Sequence, residues 1–183
     1  MLILASNSAT RAQILNENGI NFIQKNIDFN EKQIKFSLPK EYVYSVTKGK
    51  YEHFLSTHGD KDPFVCADTI VVCKEEILQK AKDKNEAKKM LLKQSGSKVK
   101  IITCMIYHSK NLHLEDLSVT TYQFKPFDMN RLEEYLNSNK WEGKAGACMV
   151  EDFCKEYILT TNGLKSTARG LSVEKLIPFL GNL

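Results

Sequence analysis

The chain has 183 residues, of which 42% are apolar and 26% are charged, with only 4 Pro and 9 Gly. This composition excludes an intrinsically disordered chain, a collagen-like repeat and a low-complexity linker, and the length suits one domain, with or without two lobes around a cleft. The 26 Lys and Arg against 22 Asp and Glu give a formal net charge of +4, a mild excess that suits an anionic small molecule as well as nucleic acid.

The first half of the chain predicts two helices that follow short apolar segments. Met1–Ala5 is typical of a buried strand, and Arg11–Asn18 predicts a helix that ends at Gly19. A second helix is expected to begin after Pro39 and to end at Gly59. The residues at helical spacing in it are Tyr42, Val43, Val46, Lys50 and Phe54.

The central part of the chain predicts a fully covered strand and then a helix. Phe64–Cys73 is apolar almost without interruption, which is typical of a strand that is buried on both faces. Asp83 then caps a helix that extends to Leu92 and is closed by Gly96.

The remaining segments predict a hairpin and further alternating elements. Lys100–Tyr107 and Leu112–Phe124 are expected to pair as strands around a turn at residues 109–111. The later elements are a helix Met129–Leu136 capped by Asp128, a strand Tyr157–Thr161 and a short helix after Ser172. Strands and helices interleave throughout, so the predicted class is α/β.

The sequence carries no sign of export or of a membrane anchor. Its five cysteines include no C-x-x-C pair, and its four histidines lack zinc-ligand spacing, which favours a reduced, cytoplasmic setting. No apolar stretch approaches the roughly 20 residues that span a bilayer. The run Met1–Leu4 lacks the basic and long apolar regions of a signal peptide. We therefore expect a cytoplasmic protein with no membrane partner.

A polar loop between the first strand and the first helix is a candidate phosphate site. A helix N-terminus presents unpaired N–H groups and partial positive charge, and Ser6, Ser8 and Arg11 would complete the cradle. The alternative is simple capping of the helix by Ser8 or Thr10. The loop is not a P-loop, because it contains neither G-x-x-x-x-G-K-[ST] nor G-x-G-x-x-G.

Two charged residues occupy positions that are otherwise apolar. Asp68 lies in the middle of the strand Phe64–Cys73, and a carboxylate held away from water must face a cleft, a metal or a cation. The alternative is a turn hydrogen bond at a strand end. Lys50 shares the apolar helix face with Val43 and Phe54, although its stem can instead extend along that face to solvent.

Three further residues carry weaker signals. Glu31 belongs to an acidic loop, and together with Asp68 it would supply the oxygen ligands that Mg²⁺ or Mn²⁺ recruits when phosphates complete the shell. Lys80 lies among many lysines. Thr69 is compatible with an ordinary strand residue.

Taken together, these motifs resemble one family from Leu2 to about Leu176, the Maf (septum formation inhibitor) nucleoside triphosphate pyrophosphatases. The shared motifs are LASNSATR at 4–11, NE at 30–31, Lys50, CADTIVV at 66–72, ILQK at 77–80, SG at 95–96, Thr103, KAGA at 144–147 and RGL at 169–171. The resemblance implies a twisted mixed β-sheet in two lobes around a deep cleft and a divalent cation, Mg²⁺ or Mn²⁺. It also implies hydrolysis of a nucleoside triphosphate to monophosphate and pyrophosphate, in removal of non-standard nucleotides or in division control.

The resemblance also assigns roles to individual residues. The implied set is Ser6, Ser8 and Arg11 as the phosphate loop, Glu31 and Asp68 as the acidic and metal-binding pair, Lys50 and Lys80 as phosphate clamps, and Thr69 and Glu151 as further substrate contacts. Attack of water on the α-phosphorus adds charge that cations must neutralise. Asp68 would position or deprotonate the water and Glu31 would mainly hold metal, although the two carboxylates can exchange these roles.

The chain departs from the family pattern at several positions. Thr10 stands where many relatives have an arginine, Ala81 where they have proline, and Val99 where histidine is frequent. Glu151 stands where pyrimidine-preferring relatives carry glutamine, and a carboxylate only accepts hydrogen bonds, which suits the two adjacent donors of guanine. Thr69 instead resembles the pyrimidine branch, and Glu151 is also compatible with a surface acid.

Two alternative functions stay open at this point. One is an inosine-triphosphate-type pyrophosphatase, and the other is a non-catalytic module that binds nucleic acid or a division protein. Such a module predicts clustered Lys and Arg interleaved with aromatics. The lysine-rich segment Lys80–Lys89 is interrupted by Asp83 and Glu86 and is typical of a solvated helix, so we expect no nucleic-acid partner. A homodimer stays open.

Overall fold

A computed structural model describes residues 1–31, 34 and 38–181, which form seven strands and six α-helices. The strands are β1 (Leu2–Ala5), β2 (Phe22–Lys25), β3 (Phe64–Cys73), β4 (Glu76–Leu78), β5 (Lys98–Ser109), β6 (Leu112–Phe124) and β7 (Ile158–Asn162). The α-helices are α1 (Ala9–Glu17), α2 (Pro39–His58), α3 (Lys84–Gln94), α4 (Met129–Asn137), α5 (Lys165–Arg169) and α6 (Val173–Leu176). Residues Phe153–Tyr157 and Ile177–Phe179 form 3-10 helices.

All seven strands belong to one mixed sheet. The strand order is β2-β1-β3-β5-β6-β7, and β4 pairs with β3. Strand β1 is parallel to β2 and β3, whereas β3 with β4 and β6 with β7 are antiparallel. The predicted α/β class and mixed sheet are therefore confirmed.

The chain divides into two compact units. The first unit consists of Met1–Thr69, Thr103–Ser118 and Leu164–Leu183, and the second of Ile70–Ile102 and Val119–Gly163. Strands β3, β5 and β6 contribute residues to both. The arrangement of two lobes around a cleft stays a prediction.

In the first unit, strand β1 is buried on both faces. Leu2 and Leu4 belong to one apolar cluster with residues of α1, while Ile3 and Ala5 belong to another with Phe54 of α2. Successive strand side chains point to opposite faces, so a strand covered on both sides has no polar position. The first polar residues therefore lie after the carboxyl end of β1. The neighbouring strand β3 is parallel to β1 and extends in the same direction.

Two of the α-helices begin at the caps that the sequence predicted. Asp83 and Asp128 accept backbone hydrogen bonds at the starts of α3 and α4, as predicted. Helix α1 begins at Ala9, two residues earlier than expected, because the Ser8 hydroxyl accepts from the Arg11 backbone N–H.

None of the helices in the described residues is long and apolar enough to cross a membrane.

Candidate functional site

In the first unit, the ammonium group of Lys50 lies between two carboxylates. Lys50 Nζ is 2.6 Å from Asp68 Oδ1 and 2.7 Å from Glu31 Oε1. The Lys50 and Asp68 side chains are only 16% and 14% exposed, whereas that of Glu31 is 41% exposed. Three residues that the sequence singled out, separated by long stretches of chain, thus meet at one point.

Local packing explains how Glu31 reaches this point. The ring of Phe29, two residues before Glu31, lies against Gly49 of helix α2. A Cβ atom at residue 49 would clash with Phe29 Cζ, so the ring occupies space that the glycine leaves open. Lys50 is the next residue of the helix, and the packed ring therefore holds the acidic loop beside it.

The guanidinium group of Arg11 is held by three acceptors. Its Nε donates to Gly170 O at 2.8 Å, Nη1 to Ser6 Oγ at 2.9 Å and Nη2 to Thr69 Oγ1 at 3.3 Å. Burial lowers the pKa of Arg11, and the nearby charge of Asp68 raises it. Arginine starts from a pKa far above neutrality, so the group remains a cation in a fixed orientation.

The two serines of the polar loop are connected to each other and to Arg11. The backbone N–H of Ser8 donates to Ser6 Oγ at 3.2 Å, and the backbone N–H of Arg11 donates to Ser8 Oγ at 3.3 Å. Ser8 is therefore the N-cap of α1, as one of the two interpretations held. A hydroxyl that accepts a hydrogen bond keeps its proton for a second partner, so capping and ligand binding are compatible.

Thr103 was not predicted as a site residue from the sequence, but it contacts Thr69 in the structure. The two hydroxyl oxygens are 3.0 Å apart, and Thr103 Oγ1 also donates to Thr167 O at 2.7 Å. Thr103 is fully buried in β5. The available signal was a hydroxyl inside the otherwise apolar run 101–107.

Gly170 is a second residue that sequence analysis did not assign to the site. Its φ is +107°, and a Cβ atom there would lie 3.2 Å from Thr69 Oγ1 and 3.5 Å from Arg11 Nε. Glycine adopts this backbone conformation without penalty and leaves room for both side chains. The RGL motif thus delivers a carbonyl oxygen to Arg11.

Tyr42 is a third such residue. Burial raises the pKa of Tyr42, and so do the negative charges of Glu31 and Asp68. The phenol is therefore near the acid pair and carries its proton at neutral pH. Its place on the apolar face of α2 made it indistinguishable from a core residue in the sequence.

The acid pair suits a divalent cation. Each carboxylate contacts Lys50 through one oxygen, and two carboxylates that face one point are the protein contribution that Mg²⁺ commonly receives when a phosphate ligand completes its shell. The described residues contain no cluster of three or more His, Cys, Asp or Glu side chains able to hold a metal. The residues therefore fit a cation that is bound together with an anionic ligand.

The second unit brings two other motifs together. Lys80 forms an isolated antiparallel bridge with Ala145, and the backbone N–H of Gly146 donates to Gln79 O at 2.9 Å. The ILQK and KAGA motifs are thus neighbours, and Lys80 is exposed.

Two consecutive left-handed residues form the turn of the KAGA motif. Gly146 has φ +64° and Ala147 has φ +54°. Gln94 Nε2 donates to Gly146 O at 2.7 Å, and the Tyr135 hydroxyl donates to Ala147 O at 3.1 Å. These bonds hold a conformation that alanine rarely adopts, so the start of the segment that leads to Glu151 is fixed.

Glycine at residue 146 is expected to be required for packing and not only for its φ. Gly143 has nearly the same φ, +70°, and open space where a Cβ atom would lie, whereas a Cβ on Gly146 would meet Val71 Cγ1 at 3.0 Å and Gln94 Nε2 at 3.3 Å. Both Gly→Ala variants incur the left-handed cost of about 1–2 kcal/mol, and Gly146→Ala adds about 1–3 kcal/mol of overpacking. Urea unfolding of the two variants measures the difference, and equal losses would contradict this packing argument.

Glu151 lies close to a buried tyrosine of the second unit. Burial and then the charge of Glu151 raise the pKa of Tyr122 to about 12. Glu151 itself is exposed, so its contact with a base stays a prediction beside the surface-acid interpretation.

Two cysteines near Glu151 in the sequence contact each other. Cys148 donates to Cys154, with 2.6 Å between the sulphur atoms. This bond and burial raise the pKa of Cys148, which therefore remains a thiol.

Comparisons with known proteins give consistent results. The profile of a family described as Maf-like protein matches residues 1–183. The chain is 52% identical over 178 residues to a nucleoside triphosphate pyrophosphatase of a Nitratiruptor species, covering 96% of each chain. It is 39% identical over 176 residues to a protein of the same name from Helicobacter pylori (strain J99), covering 96% of this chain and 93% of that protein. A third protein of that name, from Campylobacter jejuni (strain 81-176), is 39% identical over 183 residues, covering 98% of this chain and all of the relative, 100%.

Proposed function

Because the chain belongs to the Maf-like protein family over its whole length, we propose that it hydrolyses a nucleoside triphosphate between the α- and β-phosphorus atoms, releasing a nucleoside monophosphate and pyrophosphate. The observation that carries this proposal is the convergence, within the first unit, of the acid pair on Lys50 and of three acceptors on Arg11. The relatives supply the reaction, and the geometry supplies the groups that it needs.

The cationic groups meet the main electrostatic demand of the reaction. Attack of water adds negative charge to a triphosphate that is already strongly anionic. One charge pair at ~4 Å is worth about 1 kcal/mol in water and about 4 kcal/mol at an effective dielectric of 20, so half-buried cations act more strongly than surface ones. Of the five N–H donors of Arg11, three have acceptors among the described residues, and the other two can bind phosphate oxygens.

The acid pair performs the second task. Asp68 orients the attacking water and accepts its proton, and Glu31 serves chiefly as a cation ligand. A Mg²⁺ or Mn²⁺ ion held by Glu31 and Asp68 would, when bound, neutralise phosphate charge. Lys50 holds the two carboxylates toward the same point and presents its ammonium group to the phosphates.

The substrate range and setting follow from weaker signals. We propose that Glu151 and Thr69 contact the nucleoside, that Lys80 contacts the phosphates, and that non-standard nucleotides are the physiological substrates, in pool cleansing or division control. A cytoplasmic location is consistent with five cysteines that form no disulfide. Homodimer formation stays a prediction.

The activity is tested with purified protein, Mg²⁺ or Mn²⁺ and a panel of UTP, dTTP, CTP, GTP, 7-methyl-GTP and ITP. We expect equal amounts of monophosphate and pyrophosphate, no diphosphate, and complete loss with EDTA. In ¹⁸O-labelled water the label should enter the monophosphate, because the α-phosphorus is attacked. A binding module would release no pyrophosphate, preference for ITP would support the inosine-type alternative, and preference for UTP over every guanine nucleotide would refute the argument from Glu151.

A further inference from the structure

The hydrogen bonds around Thr103 indicate that the Thr69 hydroxyl donates its proton to Thr103 Oγ1. A carbonyl oxygen cannot donate, so the hydrogen bond between Thr103 and Thr167 O uses the single proton of the Thr103 hydroxyl. The contact between Thr69 and Thr103, 3.0 Å between oxygens, therefore has Thr69 as its donor. The guanidinium of Arg11 agrees with this direction, because it donates to Thr69 Oγ1 from the other side.

The Ser6 hydroxyl has the opposite hydrogen-bonding capacity, because it is left as a donor. A hydroxyl has one proton and two lone pairs. Both lone pairs of Ser6 Oγ are used, by Arg11 Nη1 and by the backbone N–H of Ser8, so only its proton is left for a ligand. The Thr69 hydroxyl donates its proton to Thr103 and accepts from Arg11 with one lone pair, so one lone pair remains to accept from a ligand.

We propose that Thr103 is a positioning residue for substrate selection: by taking the Thr69 proton it makes Thr69 an acceptor only, so that this position selects a hydrogen-bond donor on the nucleoside. The inference rests on the proposed function. Phosphate oxygens are acceptors and cannot pair with Thr69, whereas they suit the proton of Ser6. The donor is either a base N–H or a ribose O–H.

This selection reconciles the two sequence signals on base identity. Uracil N3–H and guanine N1–H are both donors, while the equivalent ring nitrogens of cytosine and adenine are acceptors. The resemblance of Thr69 to the pyrimidine branch and the preference of Glu151 for guanine are therefore both compatible with a base whose ring nitrogen carries a proton.

Thr103→Val tests the proposal, because it removes the acceptor and leaves Thr69 able to donate. Thr167 O is not left unpaired in this variant, since the Gly170 N–H also donates to it at 3.0 Å. Probe pairs for the base are UTP with CTP and ITP with ATP. Probes for the ribose are UTP with 2′-O-methyl-UTP and 3′-O-methyl-UTP, which replace a donor by an acceptor.

For wild-type protein we expect one of the two arms to favour the donor substrate by about 10- to 100-fold in kcat/KM, the cost of an acceptor left without a donor. Thr103→Val should reduce that ratio about tenfold, mainly through the KM of the acceptor substrate, and leave the other arm unchanged. Thr103→Ser, which keeps the hydroxyl, should behave as wild type.

The outcomes separate cleanly. A wild type without preference in either arm, or a folded Thr103→Val variant with the wild-type ratio, overturns the inference while pyrophosphate release continues. Equal loss on donor and acceptor substrates in Thr103→Val shows a merely structural role and also overturns it. Absence of pyrophosphate release by wild type from every parent triphosphate instead contradicts the proposed function.

Discussion

Asp68→Asn is expected to lower kcat/KM for pyrophosphate release by about 10³-fold or more, the upper part of the range for loss of a general base. The amide keeps the shape of the side chain but can neither accept the proton of the attacking water nor supply a full charge to a cation. The measurement is release of pyrophosphate from the best substrate of the panel, at saturating and at subsaturating concentration. Thermal unfolding of the same sample separates lost chemistry from lost fold.

The chain offers a matched control for this variant. Asp116 is also a well-buried carboxylate paired with a lysine, since its side chain is 12% exposed and its Oδ1 is 2.7 Å from Lys175 Nζ. Asp116→Asn should lose a similar ion pair and keep full activity. If Asp68→Asn retained more than about a tenth of the wild-type kcat/KM, the assignment of Asp68 as the catalytic base would be wrong.

Lys50→Met is expected to reduce kcat/KM by about 10²- to 10³-fold, the loss typical of removing one group that stabilises transition-state charge. The methionine retains an apolar stem of similar length on the inner face of α2, but the two carboxylates then face each other without the ammonium group. The variant should lose a large factor in kcat/KM but should change little in its midpoint of unfolding. A bound cation can replace part of the missing charge and so keep the folded state stable.

Lys175→Met is the control for this second variant, since Lys175 also pairs with a buried carboxylate of the first unit. The double variant Lys50→Met with Asp68→Asn should lose much less than the product of the single losses, because groups that act as one unit are not additive. Full additivity would indicate that the two residues act independently and would contradict the shared site.

The main elements of the fold were predictable because local chemistry marks their ends. Strand β3 has the predicted bounds, Phe64–Cys73, since its length is apolar almost throughout. Helix α2 extends from Pro39 to His58, as Pro39 and Gly59 indicated. Strand β7 begins one residue later than predicted, because Tyr157 ends the preceding 3-10 helix.

Among the strands and α-helices of the described residues, three short elements were not predicted. Strand β4 has three residues, and helix α5 has five. Strand β2 has four residues, two of them exposed, so it shows neither alternation nor a continuous apolar run. Elements of this length are formed by their tertiary partners, such as β1 for β2, and a local sequence window does not contain that information.

The site residues that were predictable are those whose chemistry conflicts with their surroundings. Asp68 in an apolar strand and Lys50 on an apolar helix face required a partner, and each proves to be the partner of the other. Thr103, Gly170 and Tyr42 conflict with nothing locally. Their roles depend on contacts that only the folded chain creates.

One of those contacts joins two segments that are far apart in the sequence. Arg11 Nε and the Gly170 carbonyl that receives it are 159 residues apart. At about 5–20 residues per second, a ribosome needs roughly 10 to 30 seconds to make that stretch, and the N-terminal loop waits that long for its last partner. A chain that ended before Gly170 would carry the polar loop, the acid pair and Lys50 but would lack the carbonyl that orients the guanidinium.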